Sequence, residues 1–407
     1  MDILSSFRSS SGITPRTVRV ISGAIFINTF GGALGSAALV IFLVNVQGFP
    51  PTEIAAFIFA AACAGFVTAG VLGWVGDVLG GRGTLQVYLV GMGFATFALV
   101  FVSESWQLAV ALIAFYVLDR GVSGIAAGLV ATVVEPEYRA EARGLTRTYA
   151  LLGSSLGYLA AVPLIAGVGA MSLQTAIIVD GITYFVAAAV YFLLPKEKVT
   201  GSHMKSRPWT ALHDWRFIAV SALACLAALF VPLFTFALPL WLPMQNHVPL
   251  SLLPVLMLIS NVSIMFIQVP ASRRFKTTAN AKVGVLIGGI ATSLAFLLIW
   301  LTAHAPVGLS IALMVVATLA FAAGRAVLTA TQWTVAYESA NEHAQGQYQS
   351  VFGTVLALAI AIGPSLYGAT VELPSGWLIL AGLALVVGLI SYAGLRVFGR
   401  RAETAEE

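Results

Sequence analysis

Four ionisable side chains lie in the middle of long apolar segments, where a charge is costly. They are Asp119, Arg120, Asp180 and Arg325. A charge at the centre of a membrane-spanning helix costs about 2.5–3.5 kcal/mol on insertion scales, so each is expected to face a partner or a polar cavity. A buried Asp that meets or leaves an Arg as its cavity changes shape can bind and release a proton. We therefore hypothesise that Asp119 or Asp180 carries an exchangeable proton and that Arg120 modulates it. A buried ion pair that only locks helices together explains the same pattern.

Asn28 extends this polar set. It lies beside a line of hydroxyl residues, Ser22, Thr29 and Ser36, which recur every seven residues. Seven residues make about two helical turns, so these side chains share one face of a helix. Such a stripe either lines a central cavity or forms hydrogen bonds between helices. Asn28 therefore joins the four ionisable residues as a candidate for lining a polar cavity.

The elements that carry these residues must be surrounded by lipid. Hydrophobic residues make up 59% of the 407 residues and charged residues only 9%, whereas ordinary soluble domains carry about 25% charged residues. So few charges cannot cover the surface of a soluble globule, and an all-α integral membrane protein is expected. The two cysteines, Cys63 and Cys225, lie far apart, and the five histidines have no partner at metal-ligand spacing. Neither a metal site nor a cofactor is predicted.

Twelve apolar segments are long enough to cross a membrane, which takes about 20 residues per helix. The first six helices are expected at 17–46, 53–76, 84–103, 107–134, 145–168 and 172–194, and the second six at 216–242, 250–270, 282–303, 307–335, 346–370 and 375–398. The longest hydrophilic stretch separates the two sets. The predicted organisation is an N-terminal bundle over 1–194, a cytoplasmic linker over 195–215 and a C-terminal bundle over 216–407.

The basic residues mark one side of the membrane. If the N-terminus is cytoplasmic, no Lys or Arg occurs in the outward loops, which lie near 47–52, 104–107, 169–172, 243–249, 304–307 and 371–375. Nearly all other basic residues fall at inward ends, which is the positive-inside bias. Both termini are therefore predicted in the cytoplasm, in a multi-pass protein of the cell (inner or plasma) membrane. The same distribution explains the net charge of +4, so nucleic-acid binding is not expected.

The connection between the second and third predicted helices carries a motif. It reads Gly73-Trp-Val-Gly-Asp77-Val-Leu-Gly80-Gly-Arg82, which resembles the G-x-x-x-D-x-x-G-x-R signature of the major facilitator superfamily. The resemblance implies the major facilitator fold, which is twelve transmembrane helices in two pseudo-symmetric six-helix bundles, and transport by alternating access. In physical terms, the glycines at 80 and 81 permit a tight reversal between two packed helices.

The resemblance also assigns conformational gating to Gly73, Asp77, Gly80 and Arg82. In the family, the acidic residue braces the N-terminal half against a helix end of the C-terminal half when the cytoplasmic side is closed. A carboxylate at a helix N-terminus gains up to about 2 kcal/mol when partly buried. The alternative is a solvated turn whose charges only set topology. The corresponding connection in the second half, 270–276, lacks the acid and the glycines, so two equivalent latches are not expected.

Two further segments, Val179–Phe185 and Glu135–Gly144, resemble the macrolide and siderophore exporter branch of that family. This resemblance implies a monomeric secondary transporter that exports an amphipathic small molecule, of drug, antibiotic or siderophore type, by proton antiport. Its partners would be the small-molecule substrate and membrane lipid, and its energy source the proton gradient. Uptake of a small metabolite shares the same fold and is the first alternative. The second is a polytopic membrane enzyme, which would need convergent acid, base or metal-binding groups at the membrane edge.

Small residues and prolines indicate where helices approach closely or break. Gly31 with Gly35, and Gly153 with Gly157, form small-xxx-small pairs, which allow helix backbones to touch. The seventh predicted helix contains three phenylalanines and three prolines: Phe230, Phe234, Phe236, Pro232, Pro239 and Pro243. A broken, aromatic-rich helix suits a pocket for bulky apolar substrates, whereas lipid-facing Phe is the alternative.

Overall fold

A computed structural model describes residues 16–133, 139–167, 169–194, 214–245, 248–340 and 345–403. Within these ranges the regular elements are helical, and twelve helices are long and apolar enough to cross a membrane. The predicted fold class, an all-α membrane protein with twelve spans, is therefore confirmed.

The first six spans are single helices. They are α1 (Arg16–Asn45), α2 (Pro51–Leu79), α3 (Gly81–Phe101), α4 (Ser105–Val133), α5 (Arg139–Ala166) and α6 (Ala170–Val190), which a short 3₁₀ turn extends over Tyr191–Leu193. Their bounds lie within a few residues of those predicted, except that α5 begins six residues earlier, at Arg139 rather than at 145.

The seventh span is broken, whereas the last five are continuous. The seventh consists of α7 (Trp215–Cys225), a 3₁₀ stretch (Leu226–Leu233), α8 (Ala237–Trp241) and a second 3₁₀ turn (Leu242–Met244). The remaining spans are α9 (Leu252–Arg274), α10 (Thr278–Thr302), α11 (Val307–Glu338), α12 (Gln345–Thr370) and α13 (Gly376–Glu403). Pro232 lies inside the 3₁₀ stretch, where its missing N–H and its ring disfavour α-helical hydrogen bonding. The predicted break in this helix is therefore present.

The described residues form two compact units, one within residues 1–42 and 64–202 and the other within residues 43–63 and 203–407. Each unit has the same internal packing pattern. In the first, α3, the third span, packs on α4 and α6; in the second, α10, the ninth span, packs on α11 and α13. The third helix of each half thus contacts the fourth and the sixth, as expected for a duplicated six-helix unit.

Glycines allow the closest helix contacts within each unit. In the first unit, a methyl group at Gly157 of α5 would lie 2.9 Å from the Ala33 Cβ of α1. In the second, a methyl group at Gly289 of α10 would lie 2.8 Å from the Gly388 Cα of α13. Lipid supplies no hydrophobic force between helices, so close van der Waals packing of this kind holds a membrane bundle together.

Candidate functional site

Gly80 forms the reversal between α2 and α3. Its backbone has φ 94° and ψ 128°, a region that residues with a Cβ rarely occupy. Its carbonyl oxygen accepts hydrogen bonds from the Thr84 amide at 3.2 Å and the Thr84 hydroxyl at 3.1 Å. These bonds begin α3, so the tight reversal expected at this glycine is present.

Arg82 lies in the first turn of α3 and reaches the C-terminal end of the sixth span. Its Nη2 donates to the Phe192 carbonyl oxygen at 2.9 Å, and its Nη1 donates to the Leu194 carbonyl oxygen. The guanidinium carbon lies 5.6 Å from the centre of the Phe192 ring. A cation here satisfies carbonyl groups that have no helical partner and opposes the negative end of the helix dipole. Arg82 therefore fastens the end of the sixth span within the first unit.

Two of the four predicted gating residues, Gly73 and Asp77, lie in α2. The surroundings of Gly73 and the side chain of Asp77 lie outside what the structure describes. The brace assigned to Asp77 therefore stays a prediction.

Asp180 lies in the middle of α6, directly against α1. Its side chain is 6% exposed. A methyl group at Gly35 would lie 2.8 Å from the Asp180 carboxyl carbon, and one at Gly31 would lie 2.8 Å from the Thr183 Cβ. The packing role predicted for the two α1 glycines is thus confirmed, and it places an acidic side chain inside a tight helix interface.

The Asp180 carboxyl group is only partly satisfied. The hydroxyl of Tyr184, one turn further along α6 and 3% exposed, hydrogen-bonds with it. Among the described residues, Asp180 Oδ1 is buried and has no hydrogen-bond partner. Such an atom costs free energy in a folded protein and often marks a functional group.

Asp119 and Arg120 are half-buried on α4 and interact electrostatically with each other. The Asp119 charge also acts on Tyr184, whose hydroxyl group hydrogen-bonds with the Asp180 carboxyl group. The first unit therefore carries three of the predicted residues, Asp119, Arg120 and Asp180, and the charges of both acids act on Tyr184.

A second tyrosine lies next to this cluster. Tyr116 lies one turn before Arg120 on α4, and the charges of Asp119 and Arg120 both act on its hydroxyl group. A methyl group at Gly65 of α2 would lie 2.8 Å from the Tyr116 carbonyl oxygen and 3.1 Å from the Arg120 Cγ. The absence of a side chain at Gly65 therefore lets α2 pack on the turn of α4 that carries the charges.

The polar stripe on α1 bonds mainly to its own helix. The Thr29 hydroxyl donates to the Ile25 carbonyl oxygen at 2.8 Å, and the Ser36 hydroxyl donates to the Ala33 carbonyl oxygen at 3.1 Å. These two hydroxyl protons are therefore not used in bonds between helices. Asn28 is half-buried on the same helix, and its place in a cavity lining stays a prediction.

Arg325, the fourth of the predicted charges, is half-buried in the second unit and lines a narrow cleft of about 20 Å³. The cleft lies beside the 3₁₀ stretch of the seventh span and is lined by α10 and α11 as well. Of the three phenylalanines noted in the seventh span, Phe230 lines the cleft, whereas Phe234 packs edge-to-face on Phe321 with ring centres 5.5 Å apart. The aromatic residues are thus buried in protein, and one of them contacts the cleft.

Several residues of these two sites were not predicted. Tyr184 lies one turn after Asp180, and Tyr116 lies one turn before Arg120. Gln332 lies seven residues after Arg325. These spacings, i+4 and i+7, place each on the same helix face as a predicted charge, which is the signal that could have found them.

Over the ranges that the structure describes, no group of three His, Cys, Asp or Glu side chains could hold a metal ion. Cys63 and Cys225 are both free thiols.

Solved structures of similar fold are transporters by name. A variant of the nucleoside transporter NupG aligns with TM-score 0.79 and 14% identity over 93% of this chain and 100% of its own. An auto-inhibited peptide transporter of the POT family aligns with TM-score 0.73 and 14% identity over 96% and 97%. A bacterial homolog of the human lysosomal transporter Spinster aligns with TM-score 0.70 and 14% identity over 94% and 96%. At these identities the likeness shows the shared fold.

At the level of sequence, no curated protein matches the chain. The family described as Major Facilitator Superfamily matches residues 21–364, which is most of the chain and includes Asn28, Gly73–Arg82, Asp119, Arg120, Asp180 and Arg325. The chain therefore belongs to the major facilitator superfamily and is a multi-pass secondary transporter of the membrane.

Proposed function

We propose that this transporter exports an amphipathic small molecule, of drug, antibiotic or siderophore type, by alternating access coupled to proton antiport. It acts as a monomer in the cell membrane with both termini in the cytoplasm. The direction and the substrate class rest on the resemblance of Val179–Phe185 and Glu135–Gly144 to macrolide and siderophore exporters.

The observation that supports proton coupling is the state of Asp180. An oxygen atom of this carboxyl group is buried without a partner among the described residues, and the charges of Asp180 and Asp119 both act on Tyr184. A buried charged group without its full set of hydrogen bonds costs several kcal/mol, and taking up a proton or a new partner removes that cost. Asp180 or Asp119 therefore carries the exchangeable proton, and Arg120 is the charge that changes its proton affinity as the helices move.

Gating is assigned to the reversal between α2 and α3. Gly80 and Arg82 hold the turn and the end of the sixth span, and Gly73 and Asp77 complete the motif. Asp77 braces the cytoplasmic side when it is closed, as the family resemblance implies. Asn28 and Arg325 line the path of the substrate.

Uptake of a small metabolite is the alternative that an experiment must separate. The proteins of similar fold include a nucleoside transporter and peptide transporters, and at their low identity neither substrate transfers to this chain. Direction must therefore be measured.

The test uses proteoliposomes with the cytoplasmic face outward and an acidic interior. Ethidium, erythromycin and a catecholate siderophore are supplied outside, and accumulation inside is followed together with proton release into the outer medium. Export by antiport predicts that at least one probe accumulates, that the probe itself drives protons outward, and that a protonophore abolishes both. Movement of the probes only in the opposite direction, or accumulation unaffected by the protonophore, would overturn the proposal.

The coupling residues are tested in the same vesicles. At least one of the variants Asp119→Asn and Asp180→Asn is expected to abolish uphill accumulation and to leave downhill exchange of the probe. Glu372→Gln changes an exposed acid between α12 and α13 and serves as the matched control, expected to transport like wild type. If both buried variants still accumulate the probe against its gradient, proton coupling through these acids is wrong.

A further inference from the structure

The connection between α9 and α10 carries three basic residues within four consecutive positions, and we call it the basic turn. The three are Arg273, Arg274 and Lys276. Their side chains are exposed, and among the described residues none of them forms a hydrogen bond or an ion pair. Three unpaired cations at one turn concentrate positive charge, so a negatively charged partner is expected to bind there.

The corresponding turn of the first unit uses its arginine inside the protein. Between α2 and α3, Arg82 donates to the carbonyl oxygens of Phe192 and Leu194 at the end of the sixth span. The basic turn has the same place in the helix order of the second unit, but its cationic side chains are exposed. The positive-inside bias accounts for basic residues on this side of the membrane in general. It does not account for their concentration at this turn.

Phe275 fixes the backbone of the basic turn. Its ring is 8% exposed and packs with Ala271 of α9 and Ala330 of α11. Its carbonyl oxygen accepts a hydrogen bond from the Thr334 hydroxyl at 2.6 Å. Thr277 then begins α10, and its side chain accepts a hydrogen bond from a backbone amide of the first turn. The basic side chains therefore project from a fixed turn, so binding an anion needs to order only side chains.

An exposed apolar stripe on α9 leads to the basic turn. Val262, Phe266 and Val269 are 39%, 68% and 57% exposed, and the exposed Arg273 follows them. Their spacings of four, three and four residues keep these side chains on one face of the helix. The stripe is about 16 Å long at 1.5 Å per residue, which is about half of the 30 Å hydrocarbon core of a bilayer. Arg273 therefore lies at the level of lipid head groups when the stripe contacts acyl chains.

A second stripe of this kind lies on α10. Val283, Ile287 and Ile290 are 43%, 45% and 49% exposed, and their spacings of four and three residues place them on one face. Exposed rows of large apolar side chains are surfaces for lipid in a membrane protein. The basic turn thus joins two helices that each present such a row. A soluble anion would contact only the charges, whereas a phospholipid would contact both the charges and the apolar stripes.

The surroundings of the basic turn contain little negative charge. Across α9, α10, α11 and the connections between them, Glu338 is the one acidic residue. It is exposed at the end of α11, one turn after Thr334, and a single carboxylate leaves the basic turn with an excess of positive charge. A planar guanidinium binds a phosphate group through two parallel hydrogen bonds. Clusters of Lys and Arg beside a membrane also attract anionic lipids.

We infer that the basic turn is a binding site for the head group of an anionic phospholipid, whose acyl chains lie along the exposed stripes of α9 and α10. The phosphate group binds Arg273 and Arg274, Lys276 adds positive charge, and the chains contact Phe266 and Val269. This partner is one lipid at one place, distinct from the lipid that surrounds every span. The inference goes beyond the proposed function, because it involves neither the transported molecule nor the coupling acids.

Native mass spectrometry of the purified full-length protein in detergent tests the site, because it counts bound lipids and measures the affinity of each. Dioleoylphosphatidylglycerol is the anionic probe. Dioleoylphosphatidylcholine, which has the same chains and no net charge, is the reference. Because each basic residue near the surface contributes about fivefold to the binding of anionic lipid, wild type is expected to bind the first anionic lipid about 10- to 100-fold more tightly than the first neutral one.

The basic residues are tested together. The triple variant Arg273→Gln, Arg274→Gln, Lys276→Gln should bind the anionic lipid no more tightly than the neutral lipid, because the preference for negative charge comes from this turn. Its affinity for the neutral lipid and its thermal unfolding in detergent should stay as in wild type, which shows that it is folded. The double variant Arg273→Lys, Arg274→Lys keeps the charges but loses the planar donors, so its preference should lie between wild type and the triple variant.

A matched control removes the same amount of charge from separate places. Arg19, Arg216 and Arg396 are exposed arginines near the ends of α1, α7 and α13, and the number of spans places them on the same side of the membrane as the basic turn. The variant Arg19→Gln, Arg216→Gln, Arg396→Gln leaves the basic turn intact. Its preference for the anionic lipid should therefore stay within about 3-fold of wild type.

Inorganic phosphate separates a lipid site from a site for a soluble anion. Compared with sodium chloride at equal ionic strength, it should displace none of the bound anionic lipid, and displacement would show that the turn binds free phosphate instead. Equal affinity for the two lipids, no retained anionic lipid, or an equal loss of preference in the triple variant and its control would also overturn the site. None of these results depends on the substrate or direction of transport, so failure of the lipid site leaves the proposed function unaffected.

Discussion

The Arg82 Nη2 donates a hydrogen bond to the Phe192 carbonyl oxygen at 2.9 Å, across 110 residues of sequence. The signature motif of the family therefore has a function inside the first unit. Independently of the brace predicted for Asp77, Arg82 connects the turn after α2 to the end of the sixth span.

Replacing Arg82 should lower stability. Arg82→Ala removes two charge-assisted hydrogen bonds and the stacking on Phe192, with an expected loss of about 1–2 kcal/mol in the free energy of unfolding. Arg82→Lys keeps the charge near the helix end and should lose about half of that. The measurement is thermal and denaturant-induced unfolding in detergent, followed by tryptophan fluorescence. Arg273→Ala, at an exposed arginine near the end of α9, is the control; equal effects of the two Ala variants would contradict a specific role for Arg82.

Gly80 should resist substitution more strongly than a neighbouring glycine. Gly80→Ala forces a Cβ onto a residue with φ 94°, which costs about 1–2 kcal/mol. Gly83→Ala is the matched control, because a methyl group there meets nothing within 4 Å and alanine is the better helix former. Unfolding measurements should rank Gly83→Ala at or above wild type and Gly80→Ala below it. A Gly80→Ala variant as stable as wild type would show that the turn relaxes freely.

The fold could be predicted from the sequence because it depends on quantities that a single chain displays. Each of these quantities is local in the sequence. The lengths of the apolar segments were sufficient to predict the twelve spans, and the Gly73–Arg82 motif was sufficient to predict the family. The positions of helix ends were predicted less accurately. At α5, for example, a polar first turn belongs to the helix but precedes its apolar part.

The site could be predicted only in part, because its contacts join distant residues. The cost of burial singled out Asp180 and Arg325, but the neighbours depend on the rotation of each helix about its axis. Periodicity that would reveal this rotation is weak, since faces toward lipid and faces toward protein are both apolar. Tyr184 and Gln332 were missed for that reason, and so was the contact of Arg82 with the sixth span.

The interface between α1 and α6 should tolerate no added methyl group at Gly35. The methyl group of Gly35→Ala would lie 2.8 Å from the Asp180 carboxyl carbon, so the helices must separate or the acid must move, at about 1–3 kcal/mol. The variant should also reduce proton release driven by substrate, because Asp180 is displaced. Gly23→Ala, on the same helix with nothing within 4 Å, should leave both stability and proton release unchanged. Normal proton release in Gly35→Ala would argue against a proton-carrying role for Asp180.

The start of the seventh span should depend on one buried hydroxyl group. The Tyr348 hydroxyl, on a ring 5% exposed, donates to Asp214 Oδ2 at 3.0 Å, while Asp214 Oδ1 accepts from the Phe217 amide at 3.0 Å and caps α7. The Tyr348 ring also packs edge-to-face on Phe217, with ring centres 4.6 Å apart. Tyr348→Phe keeps this ring contact and removes only the hydrogen bond, so it should cost about 1–2 kcal/mol in the free energy of unfolding.

A double-mutant cycle separates this bond from general effects of the substitution. Asp214→Ala removes both the cap and the acceptor, so Tyr348→Phe should have little further effect in that background, and the two losses should not add. Tyr337→Phe is the control, because that tyrosine is 54% exposed and stacks on Trp333. Additive losses in the cycle, or an equal loss in Tyr337→Phe, would show that the Tyr348 hydroxyl does not hold the cap. A non-additive result would establish that α7 and α12 are joined at this end of the second unit by a single carboxylate, which one substitution can release.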